Sequence, residues 1–417
     1  MEDPSITRRK FSGGSLAAAT LAAGTTLGLV GHPTIALAAS TGAESPPPTR
    51  LQMPSSPITL NIVDVAGDKV VAQPMVEAYI KKYPNHLARA NFDTGDATQI
   101  VSKLQAQQAA GVHQIDIVLT GNDALGLGIN AGVFRKLFPD FKGQLGAAIA
   151  TYQPGAKVLF AMADGYATVN DFGDYGPLLE YLPQSLKTPP TTAKDLLAWA
   201  KANPGQFMYA HPANSGPGRQ FAQGLPYILG DRDPQDPTHG WDKTWAYLNE
   251  LGRYIAYYPS GTTATMHELA NGSRKLIASS TGWDITPRAL GTVPAEATVA
   301  ALDGTSWIMD ASYITVPKGA PNDRLAVILN LIEWMLTPEQ QAKAYDTGYM
   351  YPGPSVEGVT LSMAPQKDQD VIRKFGHVST YDKLLPKFKA VPPLSNKALA
   401  TMFGEWDRRI GRKKIKG

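Results

Sequence analysis

Apolar and polar positions along this chain alternate between two periods, and the switches predict strands and helices in turn. Ile58-Thr59-Leu60-Asn61-Ile62-Val63 is a short β-branched run leading into the loop Asp64-Val65-Ala66-Gly67-Asp68. Residues 70–83 set Val71, Met75, Ala78 and Tyr79 at helical spacing and are closed by Pro84. Ala88-Arg89-Ala90-Asn91-Phe92-Asp93 reads as a second strand, and a helix follows from Asp96 through Ala110, with Gly111 as its stop. Ile115-Asp116-Ile117-Val118-Leu119 is a compact buried strand that feeds the loop Thr120-Gly121-Asn122-Asp123. This β-α-β-α-β order predicts an α/β lobe with mostly parallel strands. Ligands of such sheets sit outside the carboxyl ends of the strands, where Asp64, Asn122 and Asp123 fall.

The second half repeats the pattern. Residues 158–163 and 166–170 read as strands, and 192–202 as a helix capped by Thr191 or Thr192. Phe207-Met208-Tyr209-Ala210 is a strand that runs into a loop over 211–218, and a helix begins near Arg219. Residues 275–279 and 313–316 are further buried strands, and 325–336 is a strongly apolar helix stopped by Pro338. Strand material returning this late predicts a two-lobe clamshell whose chain crosses between lobes more than once.

The N-terminal pattern differs. Thr7-Arg8-Arg9-Lys10-Phe11-Ser12-Gly13, a weakly apolar run over 16–30 and Ala36-Leu37-Ala38 have the three parts of a secretory leader. The arginine pair assigns residues 1–38 to the twin-arginine route, so the expected product is soluble and periplasmic. Residues 39–56, with Ser45-Pro46-Pro47-Pro48, read as a disordered spacer. The absence of cysteine rules out disulfides, a thiolate metal site and a lipid anchor. A formal charge of +3 is too small for a nucleic-acid partner, and the basic run over 408–416 reads as a solvated tail.

Motifs for chemistry are mostly incomplete. His267-Glu268 opens like a zinc-protease helix, but Asn271 stands where the second histidine belongs. Gly126, Gly128 and Gly132 miss the dinucleotide spacing and read as a flexible connection. Asp231, Asp233 and Asp236 lack the glycine and glutamate of a calcium loop. No catalytic set, metal site or cofactor site is predicted. Three placements suggest binding instead. Trp283-Asp284 follows the strand over 275–279, and Trp307 with Asp310 precedes the one at Tyr313. Indole faces beside carboxylates suit a cationic or sugar-like ligand. In Asn214-Ser215-Gly216-Pro217-Gly218-Arg219, Ser215 is placed to cap a helix with Pro217 early in its first turn. Such an end accepts an anion or polar oxygen, with Arg219 adding charge; a plain cap with a solvent-facing arginine is the alternative.

Four stretches resemble the extracellular solute-binding proteins of bacterial ABC importers, the family-1 or type II periplasmic class. They are Asn170-Asp171-Phe172-Gly173 with the passages at 178–181 and 190–196; 268–272 with Gly282-Trp283; 305–310 running into 316–320; and 326–345. The resemblance implies an α/β, two-lobe clamshell, each lobe a mixed, mostly parallel sheet flanked by helices. Lobe 1 would comprise 57–168 and 304–360, lobe 2 would be 169–303, and 361–417 would form a C-terminal helical segment and tail. It further implies a non-enzymatic monomer that delivers a small-molecule ligand to permease subunits. The tryptophans are similar to those that sandwich the ligand in the spermidine/putrescine branch, which favours a polyamine or other amine. The segment 215–219 departs from that branch, where acidic residues are expected, and leaves a zwitterion and thiamine-like, phosphonate and sugar ligands open. The expected ligand set is Asp64, Asn122, Asp123, Asp171 at the hinge, Ser215, Gly216, Arg219, Trp283, Asp284, Trp307 and Asp310. An exported hydrolase is the alternative of a different class.

Overall fold

The computed structural model describes residues 50–411 and 414–416; the expected leader, 1–38, and residues 39–49 of the spacer lie outside the described residues. The predicted opening order holds: β1 (Ile58–Asp64), α1 (Lys69–Lys82), β2 (Leu87–Thr94), α2 (Ala97–Ala109) and β3 (Ile117–Thr120). β1 pairs in parallel with β2 on one side and β3 on the other. Then come α3 (Asn122–Asn130), α4 (Lys142–Ala150), α5 (Pro154–Met162) and β4 (Ala167–Gly176). One residue separates β4 from β5 (Leu178–Tyr181), which already belongs to a second sheet.

That second region continues with α6 (Ala193–Ala202), β6 (Phe207–Met208), α7 (Gly216–Leu229), α8 (Asp242–Gly252) and β7 (Tyr258–Pro259). It closes with α9 (Thr262–Ala270), β8 (Leu276–Ser279), α10 (Ile285–Ala289) and β9 (Thr298–Ala300). The chain then returns to the first sheet through β10 (Trp307–Thr315). After it follow α11 (Asn322–Met335), α12 (Pro338–Gln341), β11 (Gly353–Pro354), α13 (Gln366–Phe375) and α14 (Val378–Leu384). Last are β12 (Ala390–Val391), α15 (Asn396–Trp406) and β13 (Ile415–Lys416). The first sheet has the order β11-β4-β10-β3-β1-β2 with β12 on β10, and the second β6-β8-β5-β9.

Both sheets are mixed, and less parallel than expected. β4 and β10 carry the two crossings, so β10 runs antiparallel to both β3 and β4, while β5 is antiparallel to β8 and β9. Each sheet has its own apolar core. The first gathers Leu60, Ile62, Met75, Val118, Ile314 and Ile328, and the second Leu196, Phe207, Phe221, Trp241, Leu248 and Trp406. Each such buried side chain contributes about 1.5–3 kcal/mol.

Local chemistry explains the helix starts. Thr192 caps α6 by accepting from the Asp195 amide at 3.0 Å, and Ser215 caps α7 through the Gly218 amide at 3.1 Å. Four expectations change. Residues 158–162 belong to helix α5, which opens on Pro154 and is capped by Ala163. Gly126 and Gly128 sit inside α3, where they allow close packing: a Cβ on Gly128 would meet the Phe134 ring at 2.0 Å. The basic run at the end is not simply solvated, because β13 pairs in parallel with β7 and Lys414 Nζ donates to the carbonyls of Gly252 (2.6 Å) and Ile255 (2.9 Å). Part of the spacer is also ordered, with Leu51 and Met53 leaning on the first core.

Candidate functional site

A cavity of about 150 Å³ opens where the first turns of three helices meet. Gly121 and Asp123 begin α3 after strand β3, Ser215 and Gly216 begin α7, and Thr262 begins α9; all line the cavity. Helix N-termini leave backbone N–H groups without intrahelical partners. The carboxylate of Asp64 has already taken up those of the loop after β1. Its Oδ1 accepts from the amides of Ala66 and Gly67 at 2.9 Å and Asp68 at 3.1 Å, and Oδ2 from Lys69 at 3.0 Å. Asp64 therefore shapes the loop whose Val65 and Ala66 line the cavity, and does not itself line it.

Arg219 projects from α7 and is 6% exposed. Its Nη2 lies 2.6 Å from Asp310 Oδ2 on β10, and its Nη1 lies 3.6 Å from Asp123 Oδ2 on α3. Burial works against its charge, but the two carboxylates outweigh that and raise its pKa. Burial also raises the pKa of Asp123, partly offset by Arg219. Ser215 Oγ and Thr262 Oγ1 are hydrogen-bonded to each other at 2.7 Å. The indole of Trp283 lines the cavity beside the Tyr349 ring, with centroids 5.8 Å apart in an edge-on arrangement. The Tyr349 hydroxyl donates to the Ala66 carbonyl.

Of the expected ligand set, the structure brings Asp123, Ser215, Gly216, Arg219, Trp283 and Asp310 to this cavity. Asn122 stands behind it, linking the Tyr313 hydroxyl (2.8 Å) to Asp310. Asp171 is fully buried under the floor and accepts from the Ser312 amide at 3.2 Å. Two expected residues are elsewhere. Trp307 opens β10 instead of preceding it, is fully buried, donates to the Leu385 carbonyl at 3.1 Å and packs edge-on against Phe388. Asp284 is fully buried beside Arg288 and Tyr381. Neither lines the cavity. Trp307→Ala should accordingly cost about 3–5 kcal/mol of stability in urea unfolding and leave solute affinity unchanged.

Sequence reasoning missed Thr262 and Tyr349. The signal for Tyr349 lies in two glycines at positive φ, Gly282 and Gly348. A Cβ on Gly282 would meet the carbonyl oxygens of Gly348 and Tyr349 at 2.4 Å, so glycine there lets the segment carrying Tyr349 approach Trp283. Among the described residues, no group of three ligating side chains could hold a metal ion, and no helix is long and apolar enough to cross a membrane.

Two mixed sheets joined by paired crossings thus hold a polar cavity at helix starts from both. The chain belongs to the bacterial extracellular solute-binding protein family, which it matches over residues 75–373. No curated protein matches it. Among solved structures it is similar to an ABC transporter protein from Clostridium perfringens, with TM-score 0.61 and 14% identity over 85% of this chain and 99% of that one. It is also similar to the protein AfuA of Actinobacillus pleuropneumoniae, solved with fructose-6-phosphate (TM-score 0.59, 16% identity, 85% and 99% covered). A spermidine/putrescine ABC transporter substrate-binding protein of Streptococcus pneumoniae gives TM-score 0.55 at 14% identity, covering 84% and 99%. These three likenesses confirm the α/β type II fold.

Proposed function

We propose that this protein is the periplasmic solute-binding component of an ABC import system. It captures a small polar solute in the cavity between the two sheets and delivers it to a membrane permease. The observation that carries this reading is Arg219: a guanidinium from the second region reaches carboxylates of the first, Asp310 and Asp123, across the cavity. Hinge motion about β4 and β10 would part these walls to admit a solute and rejoin them over it. In this reading 57–168 with 304–360 form one lobe and 169–303 the other, except that residues 169–176 stay in the first sheet as the rest of β4, which moves the crossing to Pro177; the twin-arginine leader carries the chain out. The protein acts without catalysis. Among the described residues no histidine lines the cavity, and Ser215 is engaged by the Gly218 amide and Thr262. An amine-bearing solute is favoured because Asp123 and Trp283 face the same space.

Thermal-shift screening of polyamines, amino acids, thiamine compounds, sugars and phosphonates tests the proposal, since a bound ligand raises apparent stability with occupancy. Trp283→Ala is expected to remove the ligand-induced fluorescence change and to raise the Kd at least tenfold. An unchanged Kd would take Trp283 out of the site.

A further inference from the structure

The two carboxylates at the cavity are not equivalent. Asp310 is fully engaged. Its Oδ1 accepts from Asn122 Nδ2 at 2.5 Å and the Ala311 amide at 3.0 Å, and its Oδ2 from Arg219 at 2.6 Å and Gln220 Nε2 at 3.4 Å. Asn122 is held in turn by Tyr313. Arg219 and Asp310 thus form a neutral pair with no acceptor left over. Asp123 is engaged on one side only. Its Oδ1 accepts from the Ala124 amide at 2.8 Å, while Oδ2 stands 3.6 Å from Arg219 Nη1, beyond hydrogen-bond length. One negative charge and one acceptor therefore remain on the α3 wall.

The opposite wall offers donors. Ser215 and Thr262 carry two hydroxyl protons, and their mutual hydrogen bond uses one. Whichever way that bond points, the other proton is free for an acceptor. Gly216 lines the cavity as the first residue of α7; Ser215 takes up the amides of Gly218 and Arg219 and Pro217 has none, so the Gly216 N–H is the donor this first turn leaves for a ligand, at the helix end that favours negative charge.

We infer that the solute is a small zwitterion, its ammonium group on Asp123 and its oxyanion on Ser215, Thr262 and the start of α7. Asp123 is then the residue that sets specificity. This deepens the solute-binding reading above and rests on it. Burial of Asp123 agrees with the assignment, because a cationic partner offsets the cost of its charge. The neutral Arg219–Asp310 pair holds the cavity wall in either case.

Calorimetric titration with matched probes tests the inference. β-Alanine and 2-aminoethyl phosphate carry both charges; propionate and ethyl phosphate carry only the oxyanion, and propylamine only the ammonium. At least one zwitterion is expected to bind ten times more tightly than each of its singly charged relatives, the carboxylate and phosphate arms showing which oxyanion is preferred. Asp123→Asn, nearly isosteric, should weaken the zwitterion at least tenfold and erase that preference, whereas Asp123→Glu keeps part of it. Equal affinity for a singly charged probe overturns the inference, as does an unaltered preference in Asp123→Asn. Spermidine or glucose binding while every zwitterion fails also overturns it but leaves the solute-binding reading standing. Absence of binding by any solute in the wider screen removes both.

Discussion

Arg288→Met should cost about 3–5 kcal/mol of unfolding free energy, as expected when one member of a buried ion pair is removed. Arg288 and Asp284 are both enclosed on α10 and at its start, and the Arg288 Nε donates to the Asp284 carbonyl at 2.6 Å. Tyr381 from α14 donates to the same carboxylate. A second acid lies close by: Glu180 on β5, which accepts from Ser279 at 2.8 Å. Burial and the charge of Asp284 push Glu180 up to about 8. The wild-type group therefore holds one carboxylate, one guanidinium and one neutral acid. Methionine at 288 leaves Asp284 charged without its paired guanidinium, or forces it to take up a proton. Urea unfolding measures the loss. The double variant Asp284→Asn/Arg288→Met should recover much of it, because removing both charges leaves no orphan. A double variant as unstable as the single one would show that the cost lies in packing and not in charge.

Raising the pH from 5 to 9 should lower the thermal midpoint, and Asp68→Asn should flatten that dependence. Asp68, at the start of α1, and Asp171, on β4, are both fully enclosed. Burial is the first cause that raises both pKa values, Asp171 to about 6 and Asp68 well above the usual carboxylate range. Asp171 and Asp64 add repulsion at Asp68, and Asp346 adds it at Asp171, while Asn170 and Ser312 donate hydrogen bonds. One proton shared between the facing oxygens satisfies both acids. Because the folded pKa values exceed the unfolded ones, this stabilisation is complete below about pH 4 and is lost as pH rises through about 6 and beyond. Asparagine at 68 supplies a permanent donor to Asp171 while still accepting from Asn170. Glu180 titrates in the same direction near 8, so a residual slope should persist there. Midpoints measured across the range decide; a slope below pH 8 unchanged by Asp68→Asn would assign it to other groups.

The order of elements was legible wherever period and punctuation agreed. β1 to β3 and the intervening helices carry β-branched runs, with proline and glycine stops at the right places; the cap at Ser215 follows from side-chain chemistry alone, and that of α6 to within Thr191 or Thr192, of which Thr192 is the one. The segment 158–163 misled because an unbroken apolar run has no period to separate a buried helix from a strand. The same limit explains Trp307. Every residue of β10 is buried, so alternation along it does not say which face meets the cavity, and Asp310 and Trp307 look alike in sequence. Asp284 failed for a simpler reason: adjacent residues at a helix start point in different directions, so Trp283 reaches the cavity and its neighbour turns into the core. Tyr349 depends on the approach of a segment more than sixty positions away; Gly282 and Gly348 permit that approach, but the glycines alone do not say which segment arrives.

One helix answers to both halves of the molecule. α15 begins against α3, where Asn396 abuts Gly126, and ends with Trp406 inside the second core, its Nε1 donating to the Tyr209 hydroxyl at 3.1 Å. Since α3 also bears Asp123, any gaping of the mouth must slide that seam or peel it open. In the proposed hinge motion this stretch of chain would act as a check-strap on a door, limiting its swing from the side away from the hinge.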